Sequence, residues 1–322
     1  MSAHREPDAN PLPAADQALL EMVRWLARDG YRFTTATPAT HARVNARGEN
    51  AWARDLAGVF GWSRPFREAL LAPALFGLMR DAGILAQEED GWRCRLRVSS
   101  VGANLYLHSA YPTTDADAVF LGPDTYRYAA ALARHLAALE RPLRRVADIG
   151  CGAGVAAIAM ALAQPRAEVH ALDINEAALR LTRINALLAG AGNLTAGISD
   201  LLGGVTGSFD LIAANPPYLV DPAERAYRNG GGPLGAGLSL AIVDAALERL
   251  APGGTLLLYT GVAIVDGADP FAAAAQARLA AAGAAWTYEE IDPDVFGEEL
   301  LCPAYAGTDR IAAVVLKAVR VP

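Results

Sequence analysis

The chain has 322 residues, 53% of them hydrophobic, and a formal net charge of −7. That length and apolar content allow one large domain or two ordinary ones and exclude wholesale disorder; no apolar run reaches the roughly 18 residues of a membrane helix. Residues 1–110 hold 13 Arg against 12 acidic residues and residues 111–322 hold 15 basic against 23 acidic, so neither part has the basic footprint that binding a long nucleic acid favours.

Residues 1–14 are polar and proline-bearing, lack a signal-peptide core, and read as a disordered leader. From Asp16 the spacing of Ala18, Leu19, Met22, Val23 and Leu26 predicts a helix that stops at Gly30. Residues 34–48 are poorly periodic. Further helices are predicted over Asn50–Phe60 and Pro65–Asp81. A β-hairpin then joins Ile84-Leu85 to Trp92–Val98 across Glu88-Glu89-Asp90-Gly91. Three helices and a hairpin make residues 15–110 a small, mostly helical domain of winged-helix character. It would either read DNA or cap a substrate cleft, and the missing basic stripe favours the cap.

Residues 99–122 bridge to a helix that starts near Tyr126, with Asp124 or Thr125 as N-cap, and runs to about Leu139. From Arg145 the chain alternates strand and helix. Strands are predicted at 145–149, 168–172, 194–198, 209–214, 254–260, 285–291 and 311–318. Helices fall at about 153–164, 176–189, 236–250 and 269–282. This cadence belongs to a doubly wound, Rossmann-like α/β sheet over residues 111–322. The last two strands have no helix between them and should pair antiparallel.

Three scattered cysteines (Cys94, Cys151, Cys302) form neither a disulfide framework nor a zinc cluster. A reduced, cytoplasmic setting is expected. The five histidines show no metal spacing. His170 falls inside a strand, while His41 and His108 are minor candidates for lining a cleft.

Chemistry concentrates at strand ends. The first sheet strand ends in Asp148-Ile149-Gly150-Cys151-Gly152-Ala153-Gly154, whose glycines permit a tight turn and close approach to a ligand. A dinucleotide pyrophosphate could use such a turn, but the spacing is G-x-G-x-G and an acid precedes it. The second strand ends in Leu172-Asp173-Ile174, placing a carboxylate to take two ribose hydroxyls; Asp173 could instead cap the next helix. After the third comes Ser199-Asp200-Leu201, where Asp200 can accept from an exocyclic amine and Leu201 and Ile174 can sandwich a ring. The fourth, Phe209–Ala214, runs into Asn215-Pro216-Pro217-Tyr218. The Asn215 carboxamide oxygen and the Pro216 carbonyl can accept the two N–H groups of a planar –NH₂, and Tyr218 can stack on its plane.

These four motifs, in this order, resemble those of class I S-adenosylmethionine-dependent methyltransferases. The wording SDLL…FDLIAANPPYL, the glycine-rich segments Arg228–Gly232 and Gly235–Ser239, and Phe120–Thr125 resemble the HemK-type protein-(glutamine-N5) methyltransferases, which modify release factors. The resemblance covers about residues 119–322. It implies that S-adenosylmethionine is held by Thr125, Asp148, Gly150, Cys151, Gly152, Gly154, Asp173, Ile174, Asp200, Leu201 and Asn215. It also implies that Asn215, Pro216 and Tyr218 handle the acceptor. The substrate expected from the resemblance is a protein glutamine, with a translation release factor as partner, and neither a metal nor a membrane is expected. Three departures stand against it. Asp124 replaces the family's glutamate, the glycine-rich segment is rearranged, and residues 1–110 do not follow the family's substrate domain. A base amine in RNA or DNA, a small metabolite, and a non-enzymatic sensor of S-adenosylmethionine remain alternatives.

Overall fold

The computed structural model describes residues 12–225 and 227–321. Most of the expected leader lies outside the described residues, and its last residue, Ala14, begins a helix. Helix α1 (Ala14–Arg28) buries Leu19, Met22, Val23 and Leu26 and ends before Gly30 at φ 75°.

The next stretch departs from expectation. The poorly periodic segment contains α2 (Pro38–Asn45), started by the Thr37 hydroxyl, which accepts the Thr40 N–H at 3.2 Å, and by Pro38 in the first turn. The helix expected over Asn50–Phe60 is cut to α3 (Leu56–Phe60), capped by Asp55. The one expected over Pro65–Asp81 is cut to α4 (Pro73–Asp81). Proline explains the second cut: Pro73 lacks an N–H and is tolerated only in a first turn. Phe66, meanwhile, exchanges backbone hydrogen bonds with Trp92 at 2.8 and 2.9 Å and so extends the hairpin of β1 (Leu85–Glu88) and β2 (Gly91–Cys94).

The supposed bridge holds a second antiparallel hairpin, β3 (Leu96–Val101) with β4 (Asn104–Ser109), turning at Gly102 with φ 58°. Residues 97–100 are all buried. A strand covered on both faces shows no alternation, which is why its pattern misleads. Helix α5 (Pro123–Ala137) starts before Tyr126, with Gly122 as N-cap and the Thr125 hydroxyl accepting the Gly122 N–H at 3.3 Å.

The α/β part follows its cadence closely. Its strands are β5 (Arg145–Ile149), β6 (Glu168–Asp173), β7 (Leu194–Ile198), β8 (Phe209–Ala214), β9 (Leu250–Val265), β10 (Ala285–Asp292) and β11 (Thr308–Val319). Helices α6 (Val155–Ala163), α7 (Glu176–Ala189), α8 (Gly237–Arg249) and α9 (Pro270–Ala281) lie between them. The strand order is β10-β11-β9-β8-β5-β6-β7, and β11 pairs antiparallel with both of its neighbours. Strand order reverses between β5 and β8, which opens a crevice at their carboxyl ends.

One apolar cluster runs without a break from α1 through β3, β4, α5, α6 and α7 to one face of the sheet. The other face packs against α8 and α9. Asn185 of α7 is buried at the seam. Its carboxamide accepts the Leu107 N–H at 2.9 Å and donates to the carbonyls of Leu107 at 3.1 Å and Ala153 at 2.9 Å. No helix among the described residues is long and apolar enough to cross a membrane.

Candidate active site

The crevice at the β5/β8 switch holds a cavity of about 240 Å³. Among the residues singled out by sequence, Thr125, Gly150, Gly152, Asp173, Ile174, Asp200, Leu201, Asn215, Pro216 and Tyr218 all line it. Five separate segments of sequence converge there because each ends a strand or begins a helix at the same sheet edge.

The glycine turn after β5 is held from behind. Gly150 and Cys151 donate to the Leu172 carbonyl at 2.8 and 3.0 Å, and the Thr182 hydroxyl donates to the Gly152 carbonyl at 2.9 Å. Gly150 and Gly152 have φ of 67° and 54°, and nothing lies within 4 Å of where a Cβ would project. Gly154 differs: at φ 81°, a Cβ would meet Thr182 at 2.9 Å. It is a packing glycine and does not line the cavity. Nor do Asp148 and Cys151. Asp148 lies buried beneath the turn, accepting from Ala157 N–H at 3.0 Å and from the Tyr128 hydroxyl at 3.2 Å. Burial pushes its carboxyl up to about 7. Cys151 is buried against Thr182, and burial holds its thiol well above the ordinary value.

Asp173 faces the cavity and is tethered at both oxygens, accepting from Gly152 N–H at 2.9 Å and Asn175 N–H at 3.0 Å. Asn175, not Asp173, caps α7, accepting the Ala177 N–H at 2.9 Å. Burial pushes the Asp173 carboxyl above its ordinary value. Beside it Ile174 is 62% exposed, an apolar side chain in the cavity wall. Leu201, at φ 48°, turns the loop that carries Asp200. The Ser199 hydroxyl pins that loop by donating to the Leu201 carbonyl at 2.8 Å and accepting the Gly204 N–H at 2.9 Å.

On the opposite wall, Asn215 and Pro216 follow β8. Among the described residues, neither the Asn215 carboxamide nor the Pro216 carbonyl is spent in an internal hydrogen bond. Tyr218 is held differently from a free stacking platform. It is 7% exposed, and its ring lies so close over Gly261 that a Cβ there would sit 2.2 Å from it. Its edge-on contact with Phe296 spans 5.9 Å. The Tyr218 hydroxyl is near enough to feel the Asp124 carboxyl but outside hydrogen-bond geometry. The glycine-rich stretch supports this wall backbone to backbone: Gly230 donates to the Leu219 carbonyl at 2.8 Å, and a Cβ on Gly235 would strike the Tyr218 carbonyl at 2.2 Å.

Several further residues line the cavity. Phe120 and Tyr227 face each other nearly parallel, 18° apart with centroids 6.4 Å apart. Pro38 and Phe296 reach the wall from far along the chain. Asp124 also lines it, accepting from the Tyr259 hydroxyl at 2.6 Å and from Arg127 at 3.3 Å, with burial raising its carboxyl. Phe120 and Asp124 were visible inside Phe120–Thr125, whereas nothing local marks Phe296. The Glu298–Leu301 run forms a 3₁₀ turn in which Glu299 pairs with Arg228 of the cavity wall. His41 and His108 are fully buried away from the cavity, and His170 sits in β6 beside Glu168. Tyr126 accepts the Thr35 N–H at 2.9 Å.

Residues 118–261 match the family model described as Methyltransferase small domain. By this match the chain is similar to methyltransferases over residues 118–261. A release factor glutamine methyltransferase of Deinococcus radiodurans is 34% identical over 198 residues, covering 58% of this chain and 66% of that protein. Another, of Cereibacter sphaeroides, is 36% identical over 139 residues, covering 39% and 50%. A 4-amino-L-phenylalanine/4-methylamino-L-phenylalanine methyltransferase of Streptomyces pristinaespiralis is 32% identical over 145 residues, covering 39% and 49%. The chain thus spans about half to two thirds of the length of these relatives. The methyl donor that these similarities imply is S-adenosylmethionine. The cavity fits it: exposed Ile174 and half-buried Leu201 offer an apolar slot for a flat ring, and Asp173 and Asp200 offer acceptors beside it.

Proposed function

We propose that the chain methylates a planar nitrogen, and that the acceptor is a protein glutamine amide, as in release-factor modification. The observation that carries this reading is the pair of unspent acceptors at Asn215 and Pro216 in the same cavity as Asp173 and the glycine turn. S-adenosylmethionine, when bound, supplies an electrophilic methyl group on a sulfonium. Gly150 and Gly152 let the backbone approach it, Asp173 takes its ribose hydroxyls, and Ile174, Asp200 and Leu201 hold its adenine. Thr125 and Asp124 close the wall near Asn215.

An amide nitrogen is a poor nucleophile because its lone pair is delocalised. The Asn215 oxygen and Pro216 carbonyl would accept its two N–H groups and fix its direction, so positioning supplies most of the rate. Tyr218, pinned on Gly261, shapes the slot from the side. Asp148, Cys151 and Gly154 act one layer back, setting the turn's shape. The names of the release-factor relatives favour a protein substrate. A second reading, a small aromatic amine, draws on the near-parallel Phe120 and Tyr227 rings and on the Streptomyces relative.

Incubation with labelled S-adenosylmethionine and fractionated cell extract tests these readings. Label in a protein glutamine supports the first, and label confined to small molecules or to nucleic acid overturns it. Asn215→Ala should abolish transfer while leaving donor affinity within several-fold; full activity in that variant would refute the positioning role.

A further inference from the structure

Ser109 at the end of β4 and Val119 ahead of α5 are tied together. The Ser109 N–H donates to the Val119 carbonyl at 2.9 Å, and the Ser109 hydroxyl accepts the Val119 N–H at 2.8 Å. The chain between them is therefore a surface loop with a closed neck. One base of the loop is also packed, since the Tyr111 N–H donates to the Ser63 hydroxyl at 3.0 Å and the Tyr111 ring stacks on His41. Residues 113–117 have neither helix nor strand, and Thr114, Asp115, Ala116 and Asp117 are exposed. Ala118, Val119 and Phe120 follow at once and line the methyl-transfer cavity, so the loop covers one side of it.

Among the described residues, two side chains from elsewhere in the chain hydrogen-bond to residues 113–117. The Asn175 carboxamide donates to the Asp117 carbonyl at 2.8 Å, and the Tyr227 hydroxyl donates to the Thr113 carbonyl at 2.8 Å. Both of these residues line the cavity, on different walls. Asn175 follows Asp173 and Ile174, whereas Tyr227 precedes Arg228 and faces Phe120. Each is set in place by a second bond. The Asn175 oxygen caps α7 by accepting the Ala177 N–H at 2.9 Å, which leaves its amide nitrogen for the loop. Arg225 donates to the Tyr227 hydroxyl at 3.3 Å, which leaves that hydroxyl's own proton for Thr113. An exposed loop without secondary structure opens at low cost, and here two side-chain hydrogen bonds hold it to the site.

We propose that residues 113–117 are a movable cover on the methyl-transfer cavity, and that Asn175 and Tyr227 are positioning residues that latch it shut, one from each wall. Lifting the cover lets the donor in and out. Closing it keeps water from the reacting groups and seats Phe120 in the wall. That role rests on the reading of the cavity as the seat of S-adenosylmethionine.

Two variants remove the latches without emptying the site. Asn175→Ser keeps a helix-capping hydroxyl but is too short to reach Asp117, and Tyr227→Phe keeps the ring while losing the hydroxyl. The full chain is loaded with tritiated S-adenosylmethionine and chased with unlabelled S-adenosylhomocysteine. Each variant should release label about threefold faster than wild type or more, and the double variant about tenfold, with thermal midpoints within about 4 °C of wild type. Unchanged release in the double variant overturns the cover and leaves the donor reading intact. A wild type that binds neither compound refutes the donor reading and the cover with it. Should a variant not fold, or melt lower than that, amide hydrogen exchange of the wild type decides. Residues 112–119 should exchange at least about threefold more slowly with S-adenosylhomocysteine bound, and no slowing refutes the cover.

Discussion

Asp148 shows what a single residue can be asked. Folding keeps a proton on its carboxyl up to about pH 7, while the unfolded group releases it near 3.8. Between those values the native state binds more protons, so stability falls as pH rises through the window and is level above it. Asp124 and Asp173 are pushed in the same direction by burial. Denaturant unfolding at pH 5 and pH 8 should show the wild type losing on the order of 2 kcal/mol more than Asp148→Asn across that interval. An equal loss in both would mean that Asp148 is not the group titrating. The amide keeps both bonds, accepting from Ala157 N–H and donating to the Tyr128 oxygen. The motif containing Asp148 is plain in the sequence, but the carboxyl's depth is not. Strand-end spacing says which residues reach a sheet edge. It does not say which of them face the crevice and which, like Asp148, Cys151 and Gly154, are covered by the next helix.

Elements differ in how openly they declare themselves. Strands β5 to β8 alternate with helices and end in glycine, acid or proline, so period and punctuation agree. Hairpin β3–β4 is silent because both its faces are buried, and α2 is nearly so because only His41 along it is buried. What fixes β4 is α7, through Asn185. Replacing Asn185 by Leu keeps similar bulk but strands the Leu107 N–H and C=O and the Ala153 C=O in a dry seam. Each unmet group costs about 1–3 kcal/mol, so Asn185→Leu should destabilise the protein by about 3 kcal/mol or more. Chemical denaturation checks this, and a loss below about 1 kcal/mol would show that the seam admits water.

For the molecule as a whole, sequence suggests a division at residue 110 that packing does not respect. The apolar cluster of α1, α4, β3 and β4 continues into α5, α6 and α7. Arg180 of α7 pairs with Asp16 of α1 at 2.6 Å, and Asn185 joins α7 to β4. Composition shifts mark where charge changes, and a shared core leaves no such mark. Residues 15–110 are therefore proposed as a wall of the methyl-transfer site, contributing Pro38, rather than as a tethered module. A shared core makes local opening of one part as costly as opening both. The full chain should unfold in one transition, with fluorescence from Trp25, Trp52, Trp62 and Trp92 tracking circular dichroism of the sheet. A fragment of residues 111–322 would expose the apolar face of α7 and should aggregate or bind a hydrophobic dye. Two separated transitions, or a soluble fragment with native-like secondary structure, would restore the two-domain division.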